Sequence, residues 1–271
     1  MTVKSKLKRA VEYVTHKIAA PIFRNFASMY FDVNIIGELP KGAGICVFNH
    51  NVNFDGLING AFLNRDMHYL VQREGIYNHL LLRPFFWASG QIPINVDISN
   101  GGNIGATVAR RCKEYSQEKR LIGIFSEGPS SRLLDSSGNV IPVEDRKHYP
   151  LAAGMALSKH IPIIPIGLYT DPKIGQDLWR DIGFTKSRKY MNDYNKAKRK
   201  DLLVRGIGDR RFRASYVIAI GKSIQVENYL PKNSQSIEHL TNEVQDRLIG
   251  LVNRAKDYSH NLELDLTMRI D

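Results

Sequence analysis

Two cysteines in 271 residues are too few for a disulfide framework. Cys46 and Cys112 show no C-x-x-C spacing, and no His/Cys cluster of metal-binding type stands in the sequence. The pair therefore reads as two buried thiols in a reducing compartment. No apolar run approaches the roughly 20 residues of a membrane-spanning helix. Lysines crowd the N-terminus as in a signal peptide, but Glu12, His16 and Lys17 interrupt any apolar core there. A G-x-S-x-G nucleophile elbow is missing, as are internal repeats and low-complexity tracts. Acidic residues are also scarce, 27 against 38 Lys and Arg, leaving a net charge of +11. That excess calls for an anionic partner: nucleic acid, an anionic membrane surface or a phosphorylated small molecule. Charge does not choose among them.

What is present suits a single domain. Apolar residues make up 43% of the chain, ample for a core, and nothing in its length forces two domains. Val3, Leu7, Val11, Val14 and Ile18 recur at three- and four-residue spacing, one apolar stripe of a helix that Pro21 ends or bends. Lys4, Lys6, Lys8 and Arg9 crowd its start, and a second apolar stretch follows from Ile22 to Phe31. Residues 1–31 form either two helices packed on the domain or a basic amphipathic element in a lipid headgroup layer.

From residue 32 the pattern is α/β. Strands are expected at Asp32–Ile36, Gly44–Phe48, His68–Gln72, Gln91–Val96, Leu121–Phe125, Ile161–Tyr169 and Ala214–Ile220. Helices are expected at Phe54–Leu63, around Tyr77–Trp87 with a break near Pro84, at Ile104–Gln117, at Leu151–Ser158 and from Ile237 through Ala255. Strands alternating with helices imply a mainly parallel central sheet flanked by helices. The domain spans 32–258, with a polar, frayed tail over 259–271. Within it, residues 173–213 hold thirteen Lys/Arg against five Asp and read as a basic insertion. Two prolines in the apolar run Ile161–Gly167 place that strand at an edge or a bulge.

His50 and Asp55 are the candidate chemical centre, but not on spacing. His260 and Asp265 share the His-x-x-x-x-Asp interval, and with eight histidines it arises by chance in about one such protein in two. Context separates them, because His50 follows a buried strand and precedes a helix, where open α/β sheets hold their ligands. In one continuous helix the two side chains would stand about 140° apart, so contact requires a turn between them. Asn49, Asn51 and Asn53 suit that turn. A carboxylate on one imidazole nitrogen fixes the tautomer and leaves the other to take a proton. With no nucleophile of its own, such a dyad implies that a substrate hydroxyl is activated. The plain alternative is a capping Asp and a loop His. A second constellation is the strand Ile122–Phe125 running into Ser126-Glu127-Gly128-Pro129-Ser130-Ser131-Arg132, with small residues for close approach and Arg132 as an anion fork.

Taken in order, these segments resemble the glycerolipid acyltransferase family, which includes the lysophosphatidic acid acyltransferases. Asn49-His50 and Asp55 match its N-H-x-x-x-x-D block, and Gly90–Asp97 looks like its second block. Phe125–Arg132 is similar to F-P-E-G-T-R-S and to E-G-G-R-S-R. Ile161–Ile166 matches the V-P-I-V-P-V-like strand, Gly37–Pro40 the lead-in and Gly221–Ile224 the late Gly-Lys-Ser-Ile. The likeness spans about residues 30–255. It departs at Val96, where Arg is common, at Ser126, Pro129 and Ser130 in the third block, and at His148–Leu151, where F-K-x-G is usual.

The resemblance implies transfer of a fatty acyl group from an acyl-CoA or acyl carrier protein thioester to a lyso-lipid hydroxyl, such as that of lysophosphatidic acid. His50 would be the general base and Asp55 its orienting partner. Glu127, Gly128, Ser130, Ser131, Arg132 and Arg73 would serve the acceptor, with no metal or prosthetic group. The altered blocks keep glycerol-3-phosphate, a non-phosphate lyso-lipid or glycolipid, or a catalytically weak lipid-binding relative as alternatives. The implied setting is peripheral, on the cytoplasmic side of an anionic membrane. A nucleic-acid role for 173–213 is disfavoured, because Trp179, Phe184, Tyr190, Tyr194 and Phe212 are too sparse for a stacking platform.

Overall fold

Continuous apolar runs become the centre of a seven-stranded sheet. The computed structural model describes residues 3–51, 55–63, 65–72, 83–94, 104–128, 141–170 and 214–267. Its strands are β1 (Phe31–Ile36), β2 (Gly44–Phe48), β3 (Met67–Gln72), β4 (Ile92–Ile94), β5 (Leu121–Phe125), β6 (Ile163–Thr170) and β7 (Ala214–Ile220), in the order β1-β7-β6-β2-β5-β3-β4. From β6 to β4 every neighbour runs parallel; β7 is antiparallel to β6 and carries β1 parallel to itself. Every residue of β2 is buried, as both faces of a central parallel strand must be.

Helices cover both faces. The face bearing Cys46, Phe48, Tyr69, Ile164 and Tyr216 packs against α1 (Val3–Tyr30) and α2 (Asp55–Phe62), through Ala27 and Ile58 among others. The opposite face, with Ile45, Val47, Ile122 and Ile163, is closed by α4 (Ile104–Gln117), α5 (Leu151–Lys159) and the long α6 (Ser234–Thr267). Gly167 admits α6 closely, since a Cβ there would lie 2.6 Å from Leu251 Cβ. A short α3 (Arg83–Ala88) precedes β4.

Three expectations change. Residues Val3–Tyr30 form one helix with Pro21 inside it, not two segments. Proline removes the bond to the carbonyl four residues earlier, and both Pro21 and Lys17 are exposed, so water replaces that donor. Pro84 stands in the first turn of α3, where no N–H is needed, and the rest of the helix expected around Tyr77–Trp87 lies outside the described residues. The proline-bearing β6 is central, flanked by β2 and β7. Pro165 is tolerated because its face of the backbone turns toward β7 beyond the last ladder pair at Ile220, and its carbonyl accepts from Gly221 N at 2.9 Å. The expected tail from 259 is helical as far as Thr267, and Ser259 is buried. The basic stretch 173–213 lies outside the described residues.

Helix α1 is inverted relative to an ordinary surface helix. Leu7, Val11, Val14, Ile18 and Ile22 are exposed, at 37–67% of their surface. At 100° per residue these five fall within an arc of about 80°. Glu12 and Ala27, on the other side, are buried. Trp87 of α3, which packs beside α1, is 63% exposed.

Candidate active site

The carboxyl ends of β2 and β5 and the start of β7 meet at one edge of the sheet. His50 leaves β2, Asp55 opens α2, and the His50 Nδ1 to Asp55 Oδ2 distance is 3.3 Å. Asp55 is fully buried. Its Oδ2 also accepts the Asn51 backbone N–H at 2.7 Å, and its Oδ1 accepts the Tyr216 hydroxyl at 2.7 Å. A buried carboxylate so held stays where it is and keeps a proton on His50 Nδ1. The Nε2 lone pair is then the basic position. His50 stacks on Phe125, with ring centroids 3.9 Å apart and planes 8° from parallel, which fixes the second ring torsion.

The main chain at His50 is clamped as firmly as its ring. Asn49 bridges β2 to β6 as a side-chain mimic of the ladder, accepting from Leu168 N at 2.7 Å and donating to Leu168 O at 3.0 Å. Glu127 Oε2 accepts the His50 N–H at 2.7 Å, while Arg146 donates to the His50 carbonyl at 2.7 Å and to Glu127 Oε1 at 3.1 Å. Glu127 and the Arg146 side chain are both buried. Both Glu127 oxygens are thus engaged within the protein, where sequence reasoning put that residue at the acceptor. Gly128 follows at a φ of +76°, a left-handed conformation natural to glycine.

Ser126 replaces the family's proline and takes up a bond that proline would lack. Its N–H reaches Phe48 O at 3.1 Å. Its Oγ lies 3.3 Å from Phe48 O and 2.7 Å from His148 Nδ1. The Ser126 hydroxyl either donates to His148 Nδ1 or, turned toward Phe48 O, accepts from it, according to the ring's tautomer. Burial pushes the His148 pKa below its usual 6.5 and Arg146 adds to this, so the ring stays neutral. Burial also raises the Tyr216 hydroxyl well above its ordinary value, with Asp55 reinforcing the shift, and it stays a donor.

His50, Asp55, Glu127 and Gly128 are therefore brought together. Arg73, Ser130, Ser131 and Arg132 lie outside the described residues. Sequence reasoning missed Arg146, Tyr216 and Phe125. Tyr216 stands 161 residues beyond Asp55 and carries no local signal, whereas Arg146 sits beside the altered His148–Leu151 block. His260 and Asp265 both fall within the continuous helix α6.

The structure is a helix-covered, mainly parallel sheet with an oriented histidine at its carboxyl edge. Residues 31–169 match the Acyltransferase family, and the chain belongs to it. No curated protein matches by sequence. The fold is similar to that of the 1-acyl-sn-glycerophosphate (LPA) acyltransferase PlsC from Thermotoga maritima. The identity is 13%, the TM-score 0.53, and the match covers 92% of this chain and 83% of that one.

Proposed function

We propose that this acyltransferase moves a fatty acyl group from an acyl-CoA or acyl carrier protein thioester to a hydroxyl of a lysophospholipid such as lysophosphatidic acid. The observation that carries the reading is the buried, triply engaged Asp55 beside His50 Nδ1, with Nε2 left as the base. Nε2 takes the acceptor hydroxyl proton as that oxygen attacks the thioester carbonyl. The resulting imidazolium is stabilised by Asp55 and returns its proton to the departing thiolate. Every atom transferred belongs to the two substrates, so the protein needs no nucleophile of its own. The named acceptor of the structurally similar enzyme supports lysophosphatidic acid.

The exposed stripe of α1 and Trp87 supports a peripheral membrane setting. No described helix is long and apolar enough to cross a membrane. An apolar face with a basic start instead lies in the headgroup layer, where a lyso-lipid acceptor resides. The test is thiol release from acyl-CoA with lysophosphatidic acid, glycerol-3-phosphate and a neutral lyso-lipid offered in parallel. His50→Ala should lower turnover by about 10²–10⁴-fold. Undiminished release in that variant would falsify the mechanism, and preference for another acceptor would replace the substrate.

A further inference from the structure

The opposite end of the sheet holds a second histidine cluster that acyl transfer does not use. His16 comes from α1, while Asp66 and His68 come from the start of β3. Asp66 Oδ1 lies 3.2 Å from His16 Nε2 and 3.2 Å from His68 Nε2. All three atoms lie within 4.8 Å of one another. Neither contact has regular hydrogen-bond geometry, and this buried Oδ1 has no other partner among the described residues.

Protons alone do not settle this arrangement. His68 Nδ1 lies 3.2 Å from the Gly90 carbonyl, which requires its proton on that nitrogen. Its Nε2 faces both Asp66 Oδ1 and, at 3.1 Å, Arg120 Nη1. A neutral ring sets a lone pair against the carboxylate, and a charged ring sets an N–H against the guanidinium. Either state leaves one contact repulsive. His16 Nε2 likewise faces two acceptors, Asp66 Oδ1 and Ser89 O at 3.1 Å, with at most one proton.

We propose that His16, Asp66 and His68 bind a divalent metal ion of the zinc class, with the Ser89 carbonyl or a water completing the site. Two imidazoles and one carboxylate are donors of borderline softness, suited to Zn²⁺ rather than Mg²⁺ or Ca²⁺. The 3.2 Å spacings are close to the ~3.3 Å edge of a tetrahedron whose corners lie about 2.0–2.1 Å from zinc. The Gly90 carbonyl fixes the His68 tautomer that presents Nε2, as an outer-sphere partner does. Local charge also permits a cation. The Arg120 guanidinium is held by Glu12 at 2.6 Å, by Glu118 at 3.1 Å and by the other Asp66 oxygen, Oδ2, at 3.2 Å, and Arg9 pairs with Glu118. With Asp66, three carboxylates then face two guanidiniums.

The site joins an element of α1 to the sheet, so the ion would tether the helix that carries the exposed apolar stripe. It stands at the amino end of β3, whereas His50 stands at the carboxyl end of the parallel β2. The inference is therefore independent of acyl-transfer chemistry.

The test uses the full chain, stripped with a chelator, dialysed and titrated with Zn²⁺ by calorimetry. One ion per chain should bind with micromolar or tighter affinity and raise the melting temperature. His16→Ala and Asp66→Asn should each weaken binding at least ten-fold, while His260→Ala changes nothing. His68 is fully buried and its removal threatens folding, so the partly exposed His16 and Asp66 are the positions to vary. X-ray absorption of the zinc-loaded unaltered protein gives a second readout, with two imidazole nitrogens among the ligands. Failure to bind zinc, equal affinity in both variants, or fewer than two imidazoles on the metal overturns the proposal.

Discussion

Each end of the sheet sets histidine beside aspartate and a buried arginine, and the two ends differ in what is left over. At the carboxyl end, Asp55 and Glu127 have partners on both oxygens, and the atoms left over are ring nitrogens, His50 Nε2 at the dyad and His148 Nε2 behind it. At the amino end, Asp66 Oδ1 lies 3.2 Å from two ring nitrogens without regular hydrogen-bond geometry to either. A network whose carboxylates are satisfied and whose imidazole nitrogens stay free is arranged to act on a proton. One with a bare carboxylate oxygen between two imidazoles is arranged to receive a cation. The lesson is that residue type does not distinguish the two, whereas the tally of protons and lone pairs does.

The strongest way to break this contrast is to remove the arginine at each end. Arg146→Met leaves Glu127 buried without its cation, and Arg120→Met does the same to Glu12. Breaking a buried pair on one side costs about 3–5 kcal/mol, so both variants should unfold at markedly lower denaturant concentration. Activity should separate them. Arg146 also holds the His50 carbonyl, so its loss lowers kcat in the fraction that remains folded, while Arg120→Met keeps the kcat of the unaltered protein. Equal kcat losses at both ends would show that the carboxyl-end network has no special tie to chemistry.

The two faces of α1 sharpen the contrast. Ile18 and Ile22 touch water rather than the core, so Ile18→Ser with Ile22→Ser should move the melting temperature very little. Binding to anionic vesicles should fall about 100-fold for the pair, since burying each isoleucine in lipid contributes about 1.5 kcal/mol or more. Unchanged vesicle binding would remove the stripe from the membrane contact, and a large loss of stability would make it part of the core.

How much of this was legible depends on distance along the chain. Leu121–Phe125 and Gly44–Phe48 were readable strands because burial on both faces produces unbroken apolar runs. His50 and Asp55 were readable because a strand end, a turn and a helix start are all local. The outward direction of the α1 stripe was not, because periodicity gives a face and not what it meets; Arg9, Glu12 and His16 take the inward side through partners at positions 66–120. Pro165 misled for a related reason. Whether a missing donor matters depends on where the neighbouring strand ends, and β7 lies some fifty residues away. Tyr216 and Arg146 reach the site from such distances too.

The smallest expected effect concerns His148, which lies at the carboxyl end against Ser126. Its folded pKa lies below the ordinary 6.5, through burial first and Arg146 second, against the opposing pull of Glu127. A histidine depressed in this way is charged more readily in the unfolded chain. Its contribution to stability is present above pH 6.5 and is lost as pH falls from there toward the folded pKa. The melting temperature should therefore decline with acidification below 6.5, and His148→Gln should flatten part of that decline. Gln keeps an amide that can donate to or accept from Ser126 Oγ and has no titrating group, so the change isolates protonation from the lost ring. An unaltered slope would mean that the acid response arises elsewhere. The ring at the heart of the carboxyl-end contrast would then remain His50 alone.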